Sequence, residues 1–192
     1  MKTIQNIFKR TSFKSILVIS VMTLGFISCS NDDDNPEIVN EEEIITTMNI
    51  SLVATGQANI LLQSRDLDGD GPNAPDISVS GNLTANTTYT GTIELLNETE
   101  TPAEDITEEV DEESDEHQFF YTTSGALSAV EYTDQDTNGN PVGINFNLTT
   151  GAAGNGVLQV TLRHEPKKPN DGTLADAGGE TDIAQSFSVV VE

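Results

Sequence analysis

From residue 46 to the C-terminus, short runs of apolar and β-branched residues alternate with polar ones at period two, and clusters of Gly, Asn, Asp and Pro separate the runs. Successive side chains of an extended chain point to opposite faces, so such runs predict half-buried strands. The first, over 46–54, would bury Met48, Ile50 and Leu52, and Gly56-Gln57 would turn it into a second over 58–65. Further strands are predicted over 77–80 with Ile77 and Val79 inward, and over 86–97 with Tyr89, Ile93 and Leu95 inward. The remainder are 117–123, 126–133, 143–150 (Ile144, Phe146 and Leu148 inward), 157–164 (Leu158, Val160, Leu162 and His164 on one face) and 183–191 (Ile183, Phe187, Val189 and Val191 inward). About nine strands with turn signals between them predict an all-β fold, a single antiparallel β-sandwich of Ig-like or Greek-key-like connectivity.

One stretch breaks the alternation. Thr101, Pro102 and Glu104 stand at the N-cap, first and third positions of a helix start. Ala103, Ile106 and Val110 then fall on one side, and Glu108, Glu109, Asp111, Glu112, Asp115 and Glu116 on the rest. A short acidic helix over 102–116, lying across an end of the sandwich, is expected.

Before residue 46 the pattern is different. Residues 16–27 are apolar, too short for a bilayer that needs about 20 helical residues, and follow Lys2, Lys9, Arg10 and Lys14. Small residues and Cys29 come next, in the pattern of a bacterial lipoprotein signal peptide. This divides the chain into a signal peptide over 1–28, a lipidated Cys29 with an acidic tether over 29–45, and the β-sandwich over 46–192. The run Ser30 to Asp34 resembles the acidic export tag of surface-exposed lipoproteins of the Bacteroidota, which implies an outer-membrane lipoprotein facing outward. The longer stretch NDDDNPEIVNEEE, from Asn31 to Glu43, also reads as a solvated, self-repelling tether.

Charge narrows the partners. All 32 Asp and Glu residues lie beyond residue 28, where only Arg65, Arg163, Lys167 and Lys168 oppose them. A surface so acidic disfavours nucleic acid and anionic membrane surfaces, leaving the lipid on Cys29 as the membrane contact. With one cysteine in the chain, no intrachain disulfide forms.

Three features carry candidate chemistry. Asp66, Asp68 and Asp70 before Gly71, and Asp134, Asp136 and Asn138 before Gly139, match the first half of a calcium loop, with oxygen ligands at alternate positions and a glycine at the turn. The twelfth positions hold Ile77 and Asn145 instead of a bidentate Glu, which excludes an EF-hand, and the same residues are also ordinary turn formers. His117 and His164, beside Glu116 and Glu165, sit at predicted strand ends and are candidate zinc or copper ligands, or packed rim residues if they do not meet. Residues 165–182 form a long loop that reads equally as a binding surface or as a disordered one. No GxSxG, P-loop or GxGxxG signature occurs, so nothing points to an enzyme.

The stretches DDDNPEIVNEEEIITTM, RDLDGDGPNAP, NTTYTGTIELLNETETPAEDITEEV, EHQFF and LRHEPKKPNDGTLADAGGETDI resemble a family of small flavobacterial envelope lipoproteins of uncharacterised function. Its members are often labelled as a type 1 periplasmic-binding fold, which implies paired parallel α/β lobes; the strand alternation implies a sandwich instead. Together these readings predict a lipid-anchored, non-enzymatic ligand-binding or accessory module with calcium as candidate ion. The alternatives are a transition-metal-capturing lipoprotein using His117 and His164 beside an outer-membrane receptor, a structural surface protein that binds nothing small, and an unrecognised hydrolase.

Overall fold

The computed structural model describes residues 43–69 and 72–192. The signal segment, Cys29 and the acidic run behind it lie outside the described residues, as do Asp70 and Gly71. The alternating runs become β1 (Thr47–Val53), β2 (Ile60–Arg65), β3 (Asp76–Val79), β4 (Thr88–Asn97) and a two-residue β5 (Glu104–Asp105). After a helix α1 (Ile106–Glu112) come β6 (His117–Gly125), β7 (Leu127–Tyr132), β8 (Asn145–Thr150) and β9 (Gly154–His164); α2 (Leu174–Ala177) precedes β10 (Glu180–Val191).

Two antiparallel sheets result. One runs β3-β2-β1-β4-β8-β7 with β5 paired to β4, and the other runs β10-β9-β6. The chain changes sheet between β5 and β6, between β6 and β7, and again between β8 and β9. Gly125 makes the second of these corners at φ 67°, where a Cβ would collide with the carbonyl oxygen of Asn155. Between the sheets, Met48, Ile50, Leu52, Leu62, Leu95, Phe146 and Leu148 meet Phe119, Leu158, Val160, Leu162 and Phe187, all fully buried. These are the inward positions of the alternation, so the architecture is the β-sandwich the sequence predicts.

Three local expectations change. The helix begins at Ile106 with Asp105 as its N-cap, its carboxylate accepting the Thr107 amide at 3.0 Å. Thr101 cannot serve, because Glu104 and Asp105 are already paired with Asn97 and Leu96, so the backbone of the expected first turn belongs to a sheet and Ala103 is exposed. The helix also stops at Glu112, where acidic side chains with no basic residue in the last turn oppose the helix dipole. Ile77 takes the inward face opposite Ser64, but on the edge strand β3 it stays 40% exposed. Residues 165–182 are ordered: the Lys167 amide donates to Ala177 O at 2.7 Å and Asn170 Nδ2 to Gln118 Oε1 at 2.8 Å.

Candidate metal centre

At one end of the three-stranded sheet, the ladder places His117, the first residue of β6, directly opposite His164, the last of β9. Neighbours across an antiparallel pair share a face, and here both rings turn inward, edge to face with centroids 4.6 Å apart. On the other side of β9, β10 carries a bulge. Thr181 pairs with Arg163 and Ile183 with Leu162, leaving Asp182 as the extra residue. A bulge lets a side chain leave the register of its neighbours, and that of Asp182 is 2% exposed, with Oδ2 4.0 Å from His117 Nε2.

The fourth group comes from the opposite sheet. Thr46 is held between β4 and β2, its amide donating to Leu96 O at 3.0 Å and its carbonyl accepting from the Asp66 amide at 2.7 Å. That anchors the segment leading into β1, and Glu43 at its head reaches across the end of the sandwich. Its side chain is 3% exposed, with Oε1 2.9 Å from His117 Nε2 and Oε2 3.6 Å from His164 Nδ1. Ligand atoms of Glu43, His117, His164 and Asp182 all lie within 4.8 Å of one another.

The electrostatics favour a positive charge at this point. Burial pushes the Glu43 carboxyl up, but the short contact with His117, its own backbone and the charge of both imidazoles outweigh it, leaving the group below its ordinary value. For His117, burial works against the charged ring, yet the contact and charge of Glu43, the Glu113 carbonyl and the Asp182 charge hold it above its ordinary value. His117 Nδ1 lies 3.2 Å from the Glu113 carbonyl, which accepts the ring N–H there and leaves Nε2, where the second proton of the charged ring sits, facing the carboxylates.

Close approach has not produced hydrogen bonds. Glu43 Oε2, His117 Nε2 and both ring nitrogens of His164 are buried without a hydrogen-bond partner, and Nε2 meets Glu43 Oε1 as an ion-pair contact at 2.9 Å. Leaving such groups unsatisfied costs about 1–3 kcal/mol each, a cost that a bound cation would offset. Two imidazoles and two carboxylates are the donor set of a divalent transition metal. Zinc bonds of about 2.0–2.2 Å put tetrahedral ligand atoms about 3.3 Å apart; here three separations are 2.9, 3.6 and 4.0 Å in a set that spans at most 4.8 Å.

The acidic loops are built differently. Asp134 accepts the Gly143 and Asn145 amides, both at 2.6 Å. Asp136 accepts the Asn138 and Asn140 amides at 2.8 Å, the Asn140 side chain, and the Lys168 ammonium at 3.4 Å. Burial raises the Asp136 carboxyl, and these donors outweigh it, so it sits below its ordinary value. In the first loop the Asp68 amide donates to Asp66 Oδ1 at 3.3 Å and Asn73 Nδ2 to Asp68 Oδ2 at 2.6 Å. Asp66 and Asp68 line a groove of about 640 Å³ that also touches Glu43 and Asp182.

The two histidines are thus brought together, whereas Asp66, Asp68, Asp134 and Asp136 do not join them in a ligand group. Sequence reasoning missed Glu43 and Asp182. Glu43 reads as one of three consecutive glutamates in a tether, and Asp182 as the end of a loop. The one signal in the chain was negative: Asp182 precedes a strand whose inward parity begins at Ile183. Among the described residues no helix is long and apolar enough to cross a membrane. No family model, curated protein or solved structure matches the chain.

Proposed function

We propose that this domain is a metal-holding module that keeps a divalent transition ion, zinc in the first instance, between Glu43, His117, His164 and Asp182. The observation that carries the reading is the gathering of ligand atoms of Glu43, His117, His164 and Asp182 within 4.8 Å of one another, with Glu43 Oε2, His117 Nε2 and both His164 nitrogens buried and making no hydrogen bond. Calcium suits this centre poorly, because it takes oxygen ligands in sixes to eights and half of the donors here are nitrogen. Four protein ligands leave no open position for a substrate, so the ion is held and not used for chemistry. The N-terminal lipoprotein pattern extends the proposal to a lipid-anchored envelope protein, attached through Cys29 and facing outward, that captures a transition metal beside an outer-membrane uptake receptor.

Elemental analysis of the protein purified without chelator is the direct test. About one zinc or copper per chain is expected, lost when His117 or His164 is replaced by Ala. Metal-free protein that also fails to take up zinc at micromolar concentration would remove the reading. Replacing Cys29 by Ser is expected to release the protein from the membrane, and replacing Asp32, Asp33 and Asp34 by Ala to hide it from external protease.

A further inference from the structure

His164 belongs to two ligand sets. Besides the buried one, a second group consists of Glu116, His164 and Glu165, whose ligand atoms also lie within 4.8 Å of one another. Both glutamates are exposed, while His164 is 5% exposed. The backbone holds them side by side: the Glu165 amide donates to the Glu116 carbonyl at 2.7 Å, one rung beyond the His117–His164 pair. The ring itself lacks any hydrogen bond, at Nδ1 and at Nε2 alike.

The two nitrogens of an imidazole diverge, so a ring that offers one to a buried ion holds the other toward a different partner. Nδ1 is the atom near Glu43, at 3.6 Å. We infer that Nε2 serves a second divalent-cation site with the carboxylates of Glu116 and Glu165, so that His164 bridges a buried ion and a solvent-facing one. This inference rests on the proposed buried centre. Three protein ligands leave the outer ion open to water, in contrast to the closed inner set, and an open site exchanges its ion readily. A buried centre also needs an entry path, and a surface site sharing one of its ligands supplies it. When both nitrogens are engaged the ring's N–H proton passes to solvent.

The test is zinc binding to the full chain by equilibrium dialysis with elemental analysis, supported by copper(II) electron paramagnetic resonance. The wild type is expected to bind two equivalents, one tight and one at least tenfold weaker. Glu116→Gln with Glu165→Gln, both on the surface, should remove the weak equivalent and keep the tight one. His117→Ala should do the reverse, and His164→Ala should weaken both. With copper(II), a shared imidazole couples the two ions, so the signal per copper should fall as the second equivalent is added to the wild type and stay constant in Glu116→Gln/Glu165→Gln. One tight equivalent with no weaker phase would overturn the second site and leave the buried centre standing. A weak equivalent that persists in the double glutamine variant would overturn it too, by placing that ion elsewhere. No binding at all would overturn both readings.

Discussion

The buried polar groups around Asp136 and those around His117 and His164 are built in opposite ways. Around Asp136, carboxylate and donors match: two backbone amides, an asparagine side chain and the Lys168 ammonium fill the oxygens, and Lys168 gives a further hydrogen bond to Ser114 O at 2.5 Å. Around His117 and His164, carboxylates meet imidazoles at 2.9 to 4.0 Å, and nitrogens and an oxygen remain without hydrogen bonds. Both are rich in acidic groups. The difference teaches that carboxylate density does not mark a cation site in a chain with this many acids; what marks it is a buried donor set that the protein itself leaves incomplete.

The largest expected effect separates the clusters by metal. Zinc at about a hundred times its dissociation constant should stabilise the wild type by about 2.7 kcal/mol, raising the melting temperature by about 5–10 °C. In His117→Ala the affinity should fall more than about a hundredfold, beyond what loss of an outer-shell partner causes, and the zinc-dependent shift should vanish. Calorimetric titration and thermal melts check both, and an undiminished shift in His117→Ala would dissolve the contrast.

Next in size, Asp136→Ala should destabilise by about 2 kcal/mol whether or not zinc is present, since it strips a nearly buried Lys168 of its counter-charge. Zinc affinity should be unchanged. A variant that lost zinc binding along with stability would show the two clusters to be one unit.

Dependence on pH should distinguish metal from proton at the centre. Without metal, the raised His117 value contributes stability that is complete below the ordinary 6.5 and fades as pH rises through the folded-state value. Glu43, lowered from 4.5, contributes above that value and fades as pH falls through its own folded-state value. Zinc replaces the proton on His117, so its affinity should rise with pH across the window where the metal-free pair weakens, by up to about tenfold per pH unit. Melts with zinc and with chelator between pH 5 and 8 should therefore diverge as pH increases, and parallel curves would argue that no ligand nitrogen is displaced from its proton.

The smallest effect concerns the two acidic loops. Calcium at a concentration equal to its dissociation constant adds only about 0.4 kcal/mol. That gain is expected at Asp66 and Asp68, whose contacts are largely with each other and Asn73, and not at Asp134 and Asp136, whose oxygens already hold amides. Asp68→Ala should abolish a calcium-dependent shift in melting temperature. Survival of that shift in Asp68→Ala and its loss in Asp136→Ala would reverse the assignment.

Period-two alternation, a local property of the chain, determined the strands, the inward residues from Met48 to Val191 and hence a two-sheet core. It also placed His117 and His164 at strand ends with glutamates beside them. What alternation lacks is any term for which strand ends meet. The pairing of β6 with β9, the bulge that turns Asp182 inward, and the anchoring of Thr46 that carries Glu43 across to the other sheet are long-range events. The start of α1 was decided in the same way, by the pairing of Glu104 and Asp105 with β4. A carboxylate's neighbours in the chain say how easily it turns. At Asp136 the amides that fill the oxygens come from two and four residues further along the chain, a local turn, whereas the imidazoles that face Glu43 stand far off in sequence and only the folded chain brings them there.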